Sequence, residues 1–201
     1  MASRVSREEI LSVATQLFSA SGYTGVSMRD IASACHLNVG SLYHHFDDKQ
    51  ELHFAAVQQA FSGRSGQLLE VLEGSESPRD RLMNLIDVMC SLLAEDQTFL
   101  RLMQRELLDG DAERLKHLAK EVFSKLTTEL NQLCSQLNPQ LDPALLANTI
   151  ISMILQLFHS AELRQYLPGF RPEHHRPEVI SKHIKQLVSQ GLISPHSRGS
   201  L

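Results

Sequence analysis

The chain has 201 residues, 42% of them hydrophobic, and a formal net charge of −4. That is enough apolar material for a real core, yet no run reaches the roughly 18 apolar residues of a membrane-spanning helix, and the acidity argues mildly against a nucleic-acid partner. The amino terminus has no apolar stretch leading to a cleavage site, so no signal peptide is expected. Cys35, Cys90 and Cys134 are sparse and odd in number, which suits a reducing cytoplasm.

In chain order, Ser6 and Glu9 form a capping-box pattern in which each satisfies a free backbone donor of the other. Ile10, Val13, Ala14, Leu17 and Phe18 follow at helical spacing. Gly22 ends this helix, because a left-handed terminal residue costs least without a side chain. Ser27, with Asp30 three residues on, opens a short second helix, and Asn38 caps a third. Asp47, with Gln50 in the reciprocal position, is expected to start a long fourth helix carrying Leu52, Ala55, Ala56, Ala60 and Leu68. After a turn at 74–77, Pro78 takes the first position of a helix striped by Leu82, Leu85, Ile86, Met89, Cys90 and Leu93. Residues 96–108 and 111–137 read as two helices parted at Asp109 and Gly110, and Asn138-Pro139 breaks the second. Asp142-Pro143 starts another helix, a proline- and histidine-rich loop covers 168–177, the last helix covers 179–190, and 194–201 reads as a frayed tail. The expectation is an all-α fold of about nine helices with no internal repeat.

The stretch from Ser27 to Phe46 carries the functional signal. A helix-turn-helix needs a short helix, a tight turn and a second helix whose outer face enters the major groove. Ile31, Ala32, Leu37, Leu42 and Phe46 are placed to pack inward, leaving Val39, Ser41, Tyr43 and His44 outward, a small, polar and aromatic surface. Up to Leu52 the local charge is no help: Arg4, Arg7, Arg29 and Lys49 stand against six carboxylates, Glu8, Glu9, Asp30, Asp47, Asp48 and Glu51.

From Arg7 to about Leu52 the chain resembles the tetracycline-repressor (TetR) family of bacterial transcriptional regulators. The likeness runs through Ile10-Leu11, Ala14, Leu17-Phe18, Gly22-Tyr23, Ser27-Met28, Ile31-Ala32, Gly40-Ser41-Leu42-Tyr43, His45-Phe46, Lys49 and Leu52. Cys35-His36 departs from the family's usual Ala-Gly turn, and Asn38 from its usual Ser/Thr cap. Histidine tolerates the left-handed conformation better than most residues, so the turn is expected to survive under some strain. The resemblance implies a DNA-binding domain over 1–47, a ligand-binding and dimerisation domain over 48–193, and a tail over 194–201. Arg29 and Tyr43 would be the strongest DNA contacts, Arg29 pairing with guanine. Ser27, Ser41 and Lys49 would mostly hold phosphates alongside Tyr43, Val39 would meet a thymine methyl, His44 a base edge or phosphate, and Asn38 completes the DNA-binding set. With so many carboxylates nearby, a modest affinity and a shallow salt dependence are expected.

The resemblance also implies a homodimer on a palindromic operator, with dimer faces from Ile150, Ile154, Leu157, Phe158 and Ala161 and from Ile180, Ile184, Leu187 and Val188. The same faces read equally as intramolecular core. Candidate ligand-lining residues are Met83, Ile86, Met89, Cys90, Leu93, Phe99, Leu102, Met103, Phe123, Leu126 and Met153, an adaptable wall suited to a small lipophilic or aromatic effector. For any one of them, plain core is the commoner role. Glu106 would meet a cation there, and Arg101 or Arg105 a carboxylate, with a solvated surface pair the commoner use of each. No cofactor, metal site, membrane partner or enzymatic activity is expected: the ten histidines show no zinc-ligand spacing, and there is no nucleophile elbow or phosphate loop. Two alternatives keep the DNA-binding head, one making Cys35 a redox sensor and the other making the remainder a platform for a partner protein.

Overall fold

The computed structural model describes residues 5–192; the expected tail at 194–201 lies outside the described residues. Every regular element among them is helical: α1 (Arg7–Ser21), α2 (Met28–Ala34), α3 (Val39–Tyr43), α4 (Lys49–Leu72), α5 (Pro78–Glu95), α6 (Gln97–Asp109), α7 (Ala112–Leu118), α8 (Ser124–Leu137), α9 (Pro143–His159), α10 (Ala161–Arg164) and α11 (Pro177–Leu187).

Most starts follow from local capping. The Ser6 hydroxyl accepts from the Glu9 amide while the Glu9 carboxylate accepts from the Ser6 amide, at 3.1 and 2.7 Å. Ser77, Asp111 and Asp142 cap α5, α7 and α9, and Pro78 and Pro143 supply a preset φ at the first helical position. Gly22 closes α1 at φ 72°.

Four boundaries differ from expectation. The cap of α4 is Asp48, one residue later than expected, with its carboxylate accepting from the Glu51 amide at 2.8 Å. The helix expected over 111–137 divides into α7, a π-turn at Ala119–Phe123, and α8. That turn contains neither Gly nor Pro, the usual marks of an interruption, so periodicity runs straight through it. The loop over 168–177 holds a 3₁₀ turn, Pro172–His175. Finally, α11 starts at Pro177 and passes at Val188 into a second π-turn.

The chain forms two compact units. The first joins residues 5–64 with Gln97–Phe123. Its centre is Ile10, Ala14, Phe18, Ile31, Leu42, Leu52 and Val57, all fully buried, joined by Leu102 of α6 and Leu118 of α7. Each large apolar side chain so buried contributes about 1.5–3 kcal/mol. Helix α1 lies along α6, and α2 packs on α1 and α3. The second unit joins Ser65–Asp96 with residues 124–192. There α11 packs on α5 and α8 on α9, around Leu82, Leu85, Ile86, Cys90, Leu130, Leu133, Cys134, Ile154 and Ile184. The Asp87 carboxylate accepts from both Ser181 and Lys185, tying α5 to α11.

Candidate nucleic-acid interface

The reading head is built by three successive local devices. At the start of α2 the Asp30 carboxylate takes the Ser27 amide and hydroxyl at 2.8 and 2.6 Å, and the Ser27 hydroxyl accepts from the Asp30 amide at 3.2 Å. These bonds from Ser27 hold the Asp30 carboxyl below its usual range.

The turn after α2 is a Schellman motif: Leu37 N–H donates to Ala32 C=O at 2.8 Å and His36 N–H to Ser33 C=O at 3.0 Å. This geometry requires a left-handed residue between cap and exit. His36 supplies it at φ 56°, the one positive φ among described non-glycine residues. Cys35 lies buried beside it, and burial raises its thiol pKa.

At α3 the Asn38 side-chain oxygen accepts from the Ser41 amide at 2.7 Å. Inward, Ile31, Ala32, Leu42 and Phe46 are buried and Leu37 half-buried. Outward, Tyr43 is 50% exposed and His44 exposed, with Val39 and Ser41 half-buried.

One shallow surface groove collects Ser27, Arg29, Val39, Tyr43 and Lys49. Its wall includes Gly25, where an added Cβ would sit 2.3 Å from the Ser21 carbonyl oxygen, so only glycine fits. Arg29 is exposed and pairs with no acid among the described residues; of the acids near it in the chain, Asp30 caps α2 and Glu51 accepts from the Asp47 amide at 2.6 Å. Lys49 is less free. Its ammonium donates to Val26 C=O at 2.8 Å and sits 4.1 Å from the centre of the Tyr23 ring. Burial, and then the charge of Arg114, lower its pKa.

Behind this groove lies a polar cluster that sequence reasoning missed. His53 Nε2 is 2.9 Å from Glu106 Oε1, and Arg114 Nε is 3.2 Å from Glu106 Oε2. All three residues are buried. Burial works to raise the Glu106 pKa, but the hydrogen bonds and charges of His53 and Arg114 outweigh it and hold the carboxyl below its usual range. Glu106 is therefore neither a solvated surface residue nor a free pocket anion. Arg105 donates to the Ser19 carbonyl at 2.8 Å and to the Ala20 carbonyl, satisfying the end of α1. Arg101 is exposed. No short-range pattern links residues so far apart in the chain.

The candidate ligand residues are divided between the two units. Phe99, Leu102, Met103 and Phe123 belong to the first, where Leu102 and Met103 pack in its core and Phe61 meets Phe99 and Phe123 at 5.9 and 4.7 Å between ring centres. Met83, Ile86, Met89, Cys90, Leu93, Leu126 and Met153 belong to the second, with Ile86, Cys90 and Leu93 buried and the others half-buried. Of the candidate dimer residues, Ile150, Ile154, Phe158, Ile180, Ile184 and Val188 are buried within the second unit itself. Leu157 and Ala161 are half-buried and Leu187 is 47% exposed, while Leu145, Leu163, Tyr166 and Leu167 add exposed apolar surface in the same unit.

Two short helices with a left-handed turn, an open second helix and an unpaired arginine beside it define a helix-turn-helix DNA-binding protein. Residues 10–56 match the family described as bacterial regulatory proteins, tetR family. Over those residues the chain carries that family's DNA-binding segment, and it reads as a transcriptional regulator like its relatives. It is 26% identical over 200 residues to the HTH-type transcriptional repressor KstR2 of Rhodococcus jostii (strain RHA1), covering 95% of this chain and 93% of that protein. Its fold matches that of FadR from Bacillus subtilis, solved in complex with stearoyl-CoA, with a TM-score of 0.76 at 17% identity over 92% of this chain and 99% of that one. It also matches AibR, solved with isovaleryl coenzyme A and operator DNA, with a TM-score of 0.70 at 23% identity over 90% of this chain and 96% of that one. Among the described residues no helix is long and apolar enough to cross a membrane.

Proposed function

We propose that the chain is a repressor that binds a palindromic operator as a homodimer and is released by a small lipophilic effector. The observation that carries this reading is the shared groove of Arg29, Val39, Tyr43 and Lys49, with Tyr43 half in solvent and Arg29 unpaired. Arg29 would take the O6 and N7 of a guanine. Tyr43, Ser27, Ser41 and Lys49 would hold phosphates, His44 a base edge or phosphate, and Val39 a thymine methyl. Asn38 would contribute its amide group, since its oxygen is spent on the cap.

A reading helix as short as α3 covers only one half-site, so specific binding calls for two copies. Residues 1–47 would form the reading domain and 48–193 the effector and dimer domain. Acyl thioesters are the first effector class to try: the FadR and AibR structures were solved with such ligands, and methionine and phenylalanine side chains suit a lipophilic chain. The effector would weaken operator binding by its differential affinity for two conformations. The protein would act in the cytoplasm by binding alone, without catalysis.

A cysteine-based redox response is disfavoured. Burial raises the Cys35 pKa, and it pushes Cys90 to about 12 and Cys134 to about 11, all away from the reactive thiolate. The test is selection of genomic DNA fragments by the purified protein. Enriched fragments sharing an inverted repeat support the reading; fragments with no common sequence, or none retained at all, contradict it.

A further inference from the structure

The buried cluster behind the groove reaches the DNA-facing surface through one aromatic ring. Arg114 of α7 lies 3.2 Å from Glu106, 3.3 Å from Asp109 and 3.7 Å from Asp111. Its guanidinium carbon is 4.3 Å from the centre of the Tyr23 ring, and the Lys49 ammonium is 4.1 Å from the same centre. His53 packs edge-on against that ring at 5.1 Å. Two cations therefore share one ring, and three carboxylates around Arg114 offset the repulsion between them. Lys49 in turn holds the Val26 carbonyl at 2.8 Å, one residue before the Ser27 cap of α2.

We propose that Arg114 is a positioning residue for operator binding: clamped by carboxylates, it fixes the Tyr23 ring, which seats the Lys49 ammonium at the edge of the DNA-facing groove. This rests on the DNA-binding reading above. Arg114 touches no DNA in this scheme. Without its guanidinium the ring and the long lysine stem regain rotamers that must be frozen again on binding, a loss of about three- to tenfold in affinity.

The test uses the full chain and, as probe, a duplex that the wild-type protein enriches from a random-sequence pool. Affinity is titrated at several KCl concentrations for wild type, Lys49→Met, Arg114→Met and the double variant. Arg114→Met is expected to weaken binding about three- to tenfold and to flatten the salt dependence as Lys49→Met does, by about 0.9 for each phosphate left without its cation. The double variant should bind no worse than Lys49→Met alone, a result that a general loss of fold would not give. Arg114→Met strands the Glu106 carboxylate, so the Glu106→Gln/Arg114→Met pair supplies a second protein lacking the guanidinium, with folding checked by thermal melting. Wild-type affinity and slope in both Arg114 variants overturn the proposal, as do losses at Arg114 and Lys49 that simply multiply. If the wild type enriches no duplex, the DNA-binding reading itself has failed, and the proposal falls with it.

Discussion

At the scale of single residues, two side chains carry opposite consequences. His36 occupies a left-handed position that glycine would fill without strain. Replacing it, His36→Gly, should stabilise the protein by about 0.5–1 kcal/mol, since the left-handed penalty of a β-carbon exceeds the extra freedom that glycine gives the unfolded chain. A urea titration checks this; an unchanged or lower midpoint would show that the histidine ring makes compensating contacts. Arg29, unpaired and exposed, has nothing to lose in the fold, and everything it does is expected on DNA. Arg29→Ala should leave thermal stability unchanged while costing about 1–3 kcal/mol of specific affinity and relaxing preference at one base pair of each half-site. A uniform loss across all sequences would reassign it to a phosphate.

At the scale of elements, the helix starts were legible because a cap is a hydrogen bond between residues three apart. Ser6 with Glu9, Ser27 with Asp30, and Asn38 before Ser41 all stand where the pattern puts them. Adjacent aspartates defeat that reading: Asp47 and Asp48 are equally good caps in sequence, and only the Glu51 amide, bonded to Asp48, distinguishes them. The break between α7 and α8 leaves no mark, as Ala119–Phe123 keeps a helix-compatible composition. Ser27, Arg29, Val39, Tyr43 and Lys49 share the groove, whereas Asn38, Ser41 and His44 are not in its lining. The Lys49 bond to Val26 and the His53 contact with Glu106 left no signal in the sequence, because their partners come from distant turns of chain.

The Glu106 cluster makes a prediction of its own. Its folded pKa lies below the ordinary carboxylate value, so its contribution to stability is complete above about pH 4.5 and is lost as pH falls through the folded value. The stability gap between wild type and Glu106→Gln, measured by denaturant titration, should therefore be constant at neutral pH and shrink on acidification below about pH 4.5. A gap that widens in acid would mean that the cluster is held together by something other than the ionised carboxylate.

At the scale of the whole molecule, a net charge of −4 and a DNA-binding function are compatible because several of the acids near the reading head are already committed. Glu9, Asp30, Asp48 and Glu51 each accept a backbone amide at a helix start. Such carboxylates still repel phosphate, and Lys49 is partly spent on Val26. The logarithm of operator affinity should accordingly fall with the logarithm of salt on a slope shallower than about −9, fewer than ten phosphates per dimer. A steeper slope would require basic contacts beyond the groove described above.

The face from Val39 to His44, with Arg29 beside it, is expected to read DNA twice in one complex. What decides this is the stoichiometry and footprint of the complex on a selected fragment, by sedimentation and backbone cleavage. Two protomers should protect two symmetry-related half-sites about one helical turn, or a multiple of it, apart. A single protomer on the fragment, or one unsymmetrical protected stretch, would contradict the paired-head reading.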